Sequence, residues 1–304
     1  NFAVGYSAGE KMTSGEDNIT LGRMAGGKVT TASYNIAMGY YAGNNIQTAS
    51  GNIAIGKNAL KGSSTPGDNT GEQNIAIGAD AGFGFTTGYR NVFIGNRTGC
   101  SVTTGLFNII LGCGSGRTIT TGSCNIYIGK DSGPINATST GNLNITMQRE
   151  AGERLTSGER NILIGEETGR YVDTGSNNLM MGDFAGKCMT TGSSNVFLGY
   201  TAGQCIQTGG SNIALGVGAL KGSSTAANNT GGSNIALGSC AGCGITSGGH
   251  NFFVGYQAGI GQTDATCNIA IGYQAGCSMG LCHNIAMGQG AGALIGAGCR
   301  NVFI

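Results

Sequence analysis

The residues best suited to chemistry in this sequence are its eleven cysteines. Cys188 and Cys205 occupy the same position in two consecutive copies of a 17-residue repeat. Stacked repeats would place their Cα atoms about 5 Å apart, which is within the reach of a disulfide. We therefore consider a Cys188–Cys205 disulfide, with free thiols as the alternative. The odd number of cysteines leaves at least one thiol unpaired or bonded to another chain.

Patterns for metal binding or catalysis are weak. The CxxC at Cys240–Cys243 lacks a second ligand pair at zinc spacing and the strand–helix context of a redox motif. His250 and His283 lie in turns, and the side chains of Glu166–Glu167 diverge because the two residues are adjacent. No helix pattern follows the glycine-rich stretch Gly112–Gly116, so it is not a phosphate-binding loop. We expect no catalytic residue, no metal and no cofactor, and we predict that the protein is not an enzyme.

The repeat itself dominates the sequence. An Asn, three mostly apolar residues and a Gly recur eighteen times, from Asn1 to Asn301, and thirteen of the seventeen steps are 17 residues long. Counting each rung from its Asn as position 1, positions 2 and 4 are apolar, position 5 is almost always Gly and position 8 is small. A short fixed period of this kind is typical of a solenoid. We predict an all-β parallel β-solenoid of about 18 rungs, with two short strands per rung, as a single array over residues 1–304.

Position 3 suggests self-association. It points to the opposite face of the strand from positions 2 and 4, yet it is Ala in eight rungs and often large and apolar. If positions 2 and 4 line the core, position 3 forms an apolar column on the outside, which a soluble monomer avoids. We therefore predict a homo-oligomer. The expected interface residues are Phe93, Ile110, Tyr127, Leu163, Met180, Phe197 and Phe253.

The Asn at position 1 is present in every rung and predicts a structural ladder. Stacked side-chain amides can hydrogen-bond along the axis, whereas a column of cation sites would need carboxylates that this position lacks. The ladder residues are Asn18, Asn35, Asn52, Asn74, Asn91, Asn108, Asn125, Asn161, Asn178, Asn195, Asn212, Asn234, Asn251 and Asn268.

Two rungs are five residues longer than the regular ones, and we place their inserted loops at 60–73 and 220–233. They begin nine rungs apart and their neighbours also align, which indicates duplication of a block of rungs. Insertions in solenoids form loops on one face, so these loops are candidate contact sites, although neutral insertion is an equal alternative.

Composition excludes several partners. Sixteen basic and fifteen acidic residues nearly cancel, so nothing indicates binding to nucleic acid. No apolar stretch approaches the roughly 18 residues of a membrane span, so we expect no membrane insertion. Both ends fall inside the array, which indicates a segment of a longer fibre.

The rungs Asn74–Gly82, Asn251–Gly259 and Asn268–Gly276 resemble two related groups of repeats. One is the head repeat of trimeric autotransporter adhesins, whose rungs are shorter. The other is the Gly/Thr-rich repeat of phage tail fibres and related virion proteins. The resemblance covers essentially the whole chain and implies a left-handed, trimeric fibre.

Together these features favour a non-enzymatic fibre shaft, extracellular or on a virion, that acts as a stiff spacer. One alternative is an adhesin module that binds a host-surface glycan or protein through its side or its inserted loops. A second is a subunit of a cell-surface filament. An ice-binding solenoid is a minor alternative, because the paired threonines of each rung are adjacent and point in opposite directions.

Overall fold

The computed structural model describes residues 1–65, 68–223, 229–279, 282–293 and 298–304. These ranges contain eighteen short strands and no α-helix. Each repeat contributes one strand, over positions 2–4, and neighbouring strands pair in parallel, so the predicted all-β parallel solenoid is confirmed.

The expected second strand of each rung is not formed in the described ranges. The distal part of the rung contributes only isolated bridges, as between Ile119 and Ser139. The backbone explains this difference. In a regular rung such as the one that starts at Asn195, φ is positive at Gly199, Thr201, Gly203 and Ser211. A chain that enters the left-handed region this often turns too frequently to extend into a second strand.

The chain divides into two compact units, Asn1–Glu150 and Ala151–Ile304, each with nine strands. The prediction of one continuous array over residues 1–304 stays a prediction. The strands of the first unit are β1 (Phe2–Val4), β2 (Ile19–Leu21), β3 (Ile36–Met38), β4 (Ile53–Ile55), β5 (Ile75–Ile77), β6 (Val92–Ile94), β7 (Ile109–Leu111), β8 (Ile126–Ile128) and β9 (Ile145–Met147). Those of the second are β10 (Ile162–Ile164), β11 (Leu179–Met181), β12 (Val196–Leu198), β13 (Ile213–Leu215), β14 (Ile235–Leu237), β15 (Phe252–Val254), β16 (Ile269–Ile271), β17 (Ile285–Met287) and β18 (Val302–Phe303).

The register is the same throughout each unit. Position 3 of one rung pairs with position 3 of the next, as Phe93 does with Ile110. The two 22-residue rungs keep this register, since Ala54 pairs with Ala76 and Ala214 with Ala236. The five extra residues of each long rung therefore leave the pairing of the flanking strands unchanged.

Glycine at position 5, where the strand ends, fits the backbone best; one rung has Gln148 there instead. Gly199 has a φ of 134°, and a Cβ placed on it would lie 2.7 Å from the carbonyl oxygen of Gly216 in the next rung. Any other residue there would be strained and would collide with backbone, so the periodic glycines allow rungs to stack closely.

The core of each unit is filled by position 3, together with positions 8 and 12. The seven residues predicted to form an oligomer interface are all fully buried inside their own chain: Phe93, Ile110, Tyr127, Leu163, Met180, Phe197 and Phe253. The prediction that this column faces a partner is therefore wrong. The strand is apolar on both faces as expected, but position 3 is the inner face and positions 2 and 4 are the outer one.

Candidate interaction surface

The outer face of the strands is apolar in every rung. All thirty-six residues at positions 2 and 4 are Ile, Leu, Val, Met or Phe. We call these residues the outer strand face. Away from the first and last strands, its most exposed members retain 36–43% of their accessible surface: Ile19, Met38, Ile77, Ile94, Ile109, Met181, Leu215 and Met287.

Parallel sheets of this kind are normally covered on both sides. In each unit the inner side of the sheet is covered by the residues that fill the core, such as Val102 and Ile206. Nothing within either unit, among the described residues, covers the middle of the outer strand face, where Ile94 and Met181 are 40% and 43% exposed. A contiguous aliphatic surface without a single charged or polar position indicates a binding surface.

The sequence contained a signal that could have identified this face. Side chains at positions 2 and 4 are uniformly medium to large, whereas position 3 varies from Ala to Phe and Tyr. In a closed core, a small side chain at one position is compensated by a large side chain at another, because the core must keep a nearly constant volume. A surface has no such requirement.

The Asn column forms a continuous hydrogen-bonded ladder within each unit. In each step the backbone N–H of one Asn donates to Oδ1 of the Asn in the preceding rung, at 2.8–3.1 Å. The side-chain amide also closes its own rung. Nδ2 of Asn195 donates to Oδ1 of Asn178 at 3.1 Å and to the carbonyl of Gly209 at 3.0 Å. The ladder residues are fully or almost fully buried, so their role is to hold adjacent rungs together.

A row of charges supports three rungs of the second unit. Arg170 contacts Glu153 and donates from its Nη1 to Glu167 Oε2 at 3.1 Å, and Lys187 Nζ contacts the same oxygen at 2.5 Å. Burial acts to raise the pKa of Glu167, but the hydrogen bonds and positive charges of Lys187 and Arg170 together outweigh it and lower that pKa. The cluster is thus an axial ion-pair network that stabilises the side of the solenoid.

Of the two alternatives for Cys188 and Cys205, the structure shows free thiols, so the disulfide considered for them is not formed. A disulfide instead joins Cys282 to Cys299, which are 17 residues apart with a Cα–Cα distance of 4.9 Å. Both pairs lie one rung apart, so stacking alone could not show which pair is bonded.

The two inserted loops are held by matching asparagines. Asn69 is 1% exposed; its Oδ1 accepts from the backbone N–H of Ser63 at 2.8 Å and its Nδ2 donates to the Ser63 carbonyl at 2.9 Å. Asn229 makes the same pair of bonds with Ser223, at 3.0 and 2.8 Å. Within the described residues, the base of each loop is therefore held in place by hydrogen bonds to a buried asparagine.

The described residues hold no group of three or more His, Cys, Asp or Glu side chains placed to bind a metal ion. They also hold no helix with the length and hydropathy needed to cross a membrane.

No protein-family model, no curated protein and no solved structure matches this chain.

Proposed function

We propose that this chain is a non-enzymatic structural segment of an extracellular or virion fibre, and that it self-associates through the outer strand face. The observation that carries this proposal is the absence of any polar residue from the thirty-six positions of that face. A surface strand open to water would alternate apolar and polar residues. These strands do not, so water is not their partner in the assembled protein.

The size of the face fits a stable interface. Two aliphatic side chains per rung, exposed by up to about two-fifths, leave on the order of 100 Å² per rung. Nine rungs then offer on the order of 900 Å², close to the ~800 Å² that each partner buries in a standard stable complex. Such a face on both units favours an obligate rather than a transient assembly.

Another copy of the same chain is the partner that best fits this surface. Its rows of side chains repeat at the spacing of stacked strands, about 4.8 Å. A second solenoid presents the same rows at the same spacing, so ridges and grooves interlock over the whole length. The resemblance to trimeric fibre repeats supports three chains around a common axis.

The mechanism of such a segment is mechanical. Each rung is joined to the next by strand pairing, by the Asn ladder and by further axial bonds such as Thr103 Oγ1 to the Thr120 carbonyl at 3.3 Å. Each rung is bonded to the rung before it and to the rung after it, and this repeated set of axial bonds makes the stack stiff. A shaft of this kind would hold a receptor-binding element away from the surface that carries it.

The test is the oligomeric state of the full chain and of a variant of the outer strand face. Ile94→Asp combined with Ile109→Asp places two charges on neighbouring strands, at positions that are each 40% exposed. Thr104→Asp, at an exposed position away from the strands, is the matched control. Light scattering should give a trimeric mass for the wild type and the control, and a monomeric mass for the double variant with an unchanged circular dichroism spectrum. A monomeric wild type, or a double variant of unchanged mass, would overturn the proposal.

An adhesin module is the second candidate, and the anchored bases of the two inserted loops favour it. In the first loop, Lys61 Nζ also lies 5.1 Å from the ring centroid of Tyr41 and 5.3 Å from that of Phe83. Exposed aromatic and cationic groups of this kind are common in surfaces that bind glycans or proteins. Binding of the isolated segment to a glycan array, lost when residues 60–73 and 220–233 are trimmed, would support this function. Binding that survives trimming would exclude the loops.

A further inference from the structure

Cys188 and Cys205 lie side by side on consecutive rungs of the second unit. The backbone N–H of Cys188 donates to the Gln204 carbonyl at 2.9 Å, and that of Cys205 donates to the Lys221 carbonyl at 2.9 Å. Both residues are therefore fixed in the axial register of the solenoid. Both side chains are half-buried free thiols.

The disulfide elsewhere in the unit shows that this register allows a bond. Cys282 and Cys299 are also one rung apart, with the same separation of 17 residues, and they are joined at a Cα–Cα distance of 4.9 Å. Cys188 and Cys205 could thus be bonded with little change in the backbone, since stacking alone sets the distance between equivalent positions.

The two thiols differ in acidity. The hydrogen bond from the Cys205 thiol stabilises the Cys188 thiolate, burial opposes it, and the Lys187 ammonium adds to the stabilisation, so that the pKa of Cys188 falls to about 7. The same hydrogen bond, together with burial and the Cys188 charge, raises the pKa of Cys205. The pair therefore loses one proton near neutral pH and holds the second firmly, as coupled groups do.

We propose that Cys188 and Cys205 form a reactive dithiol that is oxidised by small-molecule disulfides to a bond between adjacent rungs. The Cys188 thiolate attacks one sulfur of the disulfide, forms a mixed disulfide and expels one thiolate. Cys205 then gives up its proton, attacks the Cys188 sulfur and expels the second thiolate. The small-molecule disulfide is reduced to two thiols, which take up the two protein protons, and the protein gains one disulfide. This inference is independent of the proposed function.

A second thiol pair in the same unit provides an internal comparison. Cys240 and Cys243 lie on one turn, where the N–H of Cys243 donates to the Cys240 carbonyl at 3.2 Å. Burial first, and then the charge and hydrogen bond of Cys240, raise the pKa of Cys243 to about 11. Cys243 therefore carries almost no thiolate at neutral pH, and this pair should react slowly.

The test exposes the reduced full-length chain to glutathione disulfide, quenches it with acid, and maps disulfides by mass spectrometry. We expect the Cys188–Cys205 disulfide to form at least about 10-fold faster than a Cys240–Cys243 disulfide at pH 7. With a pKa of about 7, its rate should rise about five-fold from pH 6 to 7 and level off above pH 8.

Cys205→Ala separates reactivity from simple exposure. It removes the hydrogen bond to Cys188, so the rate profile should move to higher pH, and a mixed disulfide should accumulate at Cys188 because no second thiol resolves it. The proposal fails if no Cys188–Cys205 disulfide forms in the wild type. It also fails if the reaction of Cys188 keeps accelerating above pH 8, or if its pH profile is the same in Cys205→Ala.

Discussion

Phe197 lies against Gly203 inside the second unit, and a Cβ placed on Gly203 would come within 2.5 Å of Phe197 Cε2. The ring at position 3 thus occupies the space that a side chain at position 9 would need. Gly203 also has a φ of 59°, which favours glycine. The fit of a large inner side chain therefore depends on a glycine six residues later in the same rung.

Gly203→Ala should be strongly destabilising for this reason. Crowding in a packed core costs about 1–3 kcal/mol, and the left-handed backbone adds about 1–2 kcal/mol for a residue with a Cβ. Denaturant unfolding, followed by circular dichroism, measures the loss of free energy of unfolding.

Gly43→Ala is the matched control. Gly43 has nearly the same φ, 53°, but its rung carries Ala37 at position 3, and the nearest atom to the added Cβ would be Ile46 Cδ1 at 3.1 Å. Only the backbone cost of about 1–2 kcal/mol should remain. Equal losses in the two variants would contradict the idea that Phe197 makes the difference.

The outline of the fold could be predicted from the sequence because both the period and the position 5 glycines report local geometry. Gly199, for example, stands where φ must be 134°, and few other residues can do so. The face of the strand could not be assigned in the same way. A three-residue strand with apolar side chains on both faces has no pattern that distinguishes the inner face from the outer one. Which face is buried depends on the side of the strand against which the rest of the rung packs.

Volume compensation within the core is the information that resolves this ambiguity. The rung of Ala76 has Phe85 at position 12, whereas the next rung has Phe93 at position 3 and Val102 at position 12, and all four residues are fully buried. Large and small residues exchange between these two positions, which therefore share one core. The pairing of particular cysteines stayed beyond prediction because several pairs share the same register.

The Asn ladder should be highly sensitive to truncation. Asn195→Ala removes the acceptor of the Asn212 N–H and the donor to the Gly209 carbonyl, both in buried surroundings. Each buried group left unsatisfied costs about 1–3 kcal/mol, so the two groups together should cost the variant roughly 2–6 kcal/mol. Urea unfolding provides the measurement.

Thr191→Ala, at an exposed turn position in the preceding rung, should change stability by no more than about 0.5 kcal/mol. If Asn195→Ala lowered the free energy of unfolding by as little as Thr191→Ala, the Asn ladder would not be what stabilises the stack of rungs.

The ion-pair network predicts a dependence of stability on pH. The folded-state pKa of Glu167 lies below its ordinary value of 4.5. The unfolded chain therefore binds the proton more readily, and acid favours unfolding. The stabilisation is complete above pH 4.5 and is lost as the pH falls through the lower, folded-state pKa.

Glu167→Gln isolates this contribution. The variant should be less stable than the wild type at pH 7, and the difference should shrink as the pH falls below 4.5 towards the lower folded-state pKa, because protonation of the wild-type carboxyl then favours the unfolded chain. Urea midpoints between pH 3 and 7 would show this. Glu10→Gln, at an exposed position, should show no such trend. A gap between Glu167→Gln and the wild type that is constant with pH would contradict the network.

The duplicated blocks offer a reciprocal test of backbone strain. Gly51 and Ser211 occupy equivalent positions just before an Asn, with φ values of 70° and 59°. Their N–H groups make matching bonds of 3.0 Å, to the carbonyls of Ser33 and Ser193.

A serine in the left-handed region costs about 1–2 kcal/mol, while the extra freedom of an unfolded glycine offsets about 0.5–1 kcal/mol of that cost. Ser211→Gly should therefore raise the free energy of unfolding by up to about 1 kcal/mol, and Gly51→Ser should lower it by a similar amount. Thermal unfolding of the two variants beside the wild type gives the sign of each change. Two shifts of the same sign would show that side-chain contacts, and not φ, govern this position.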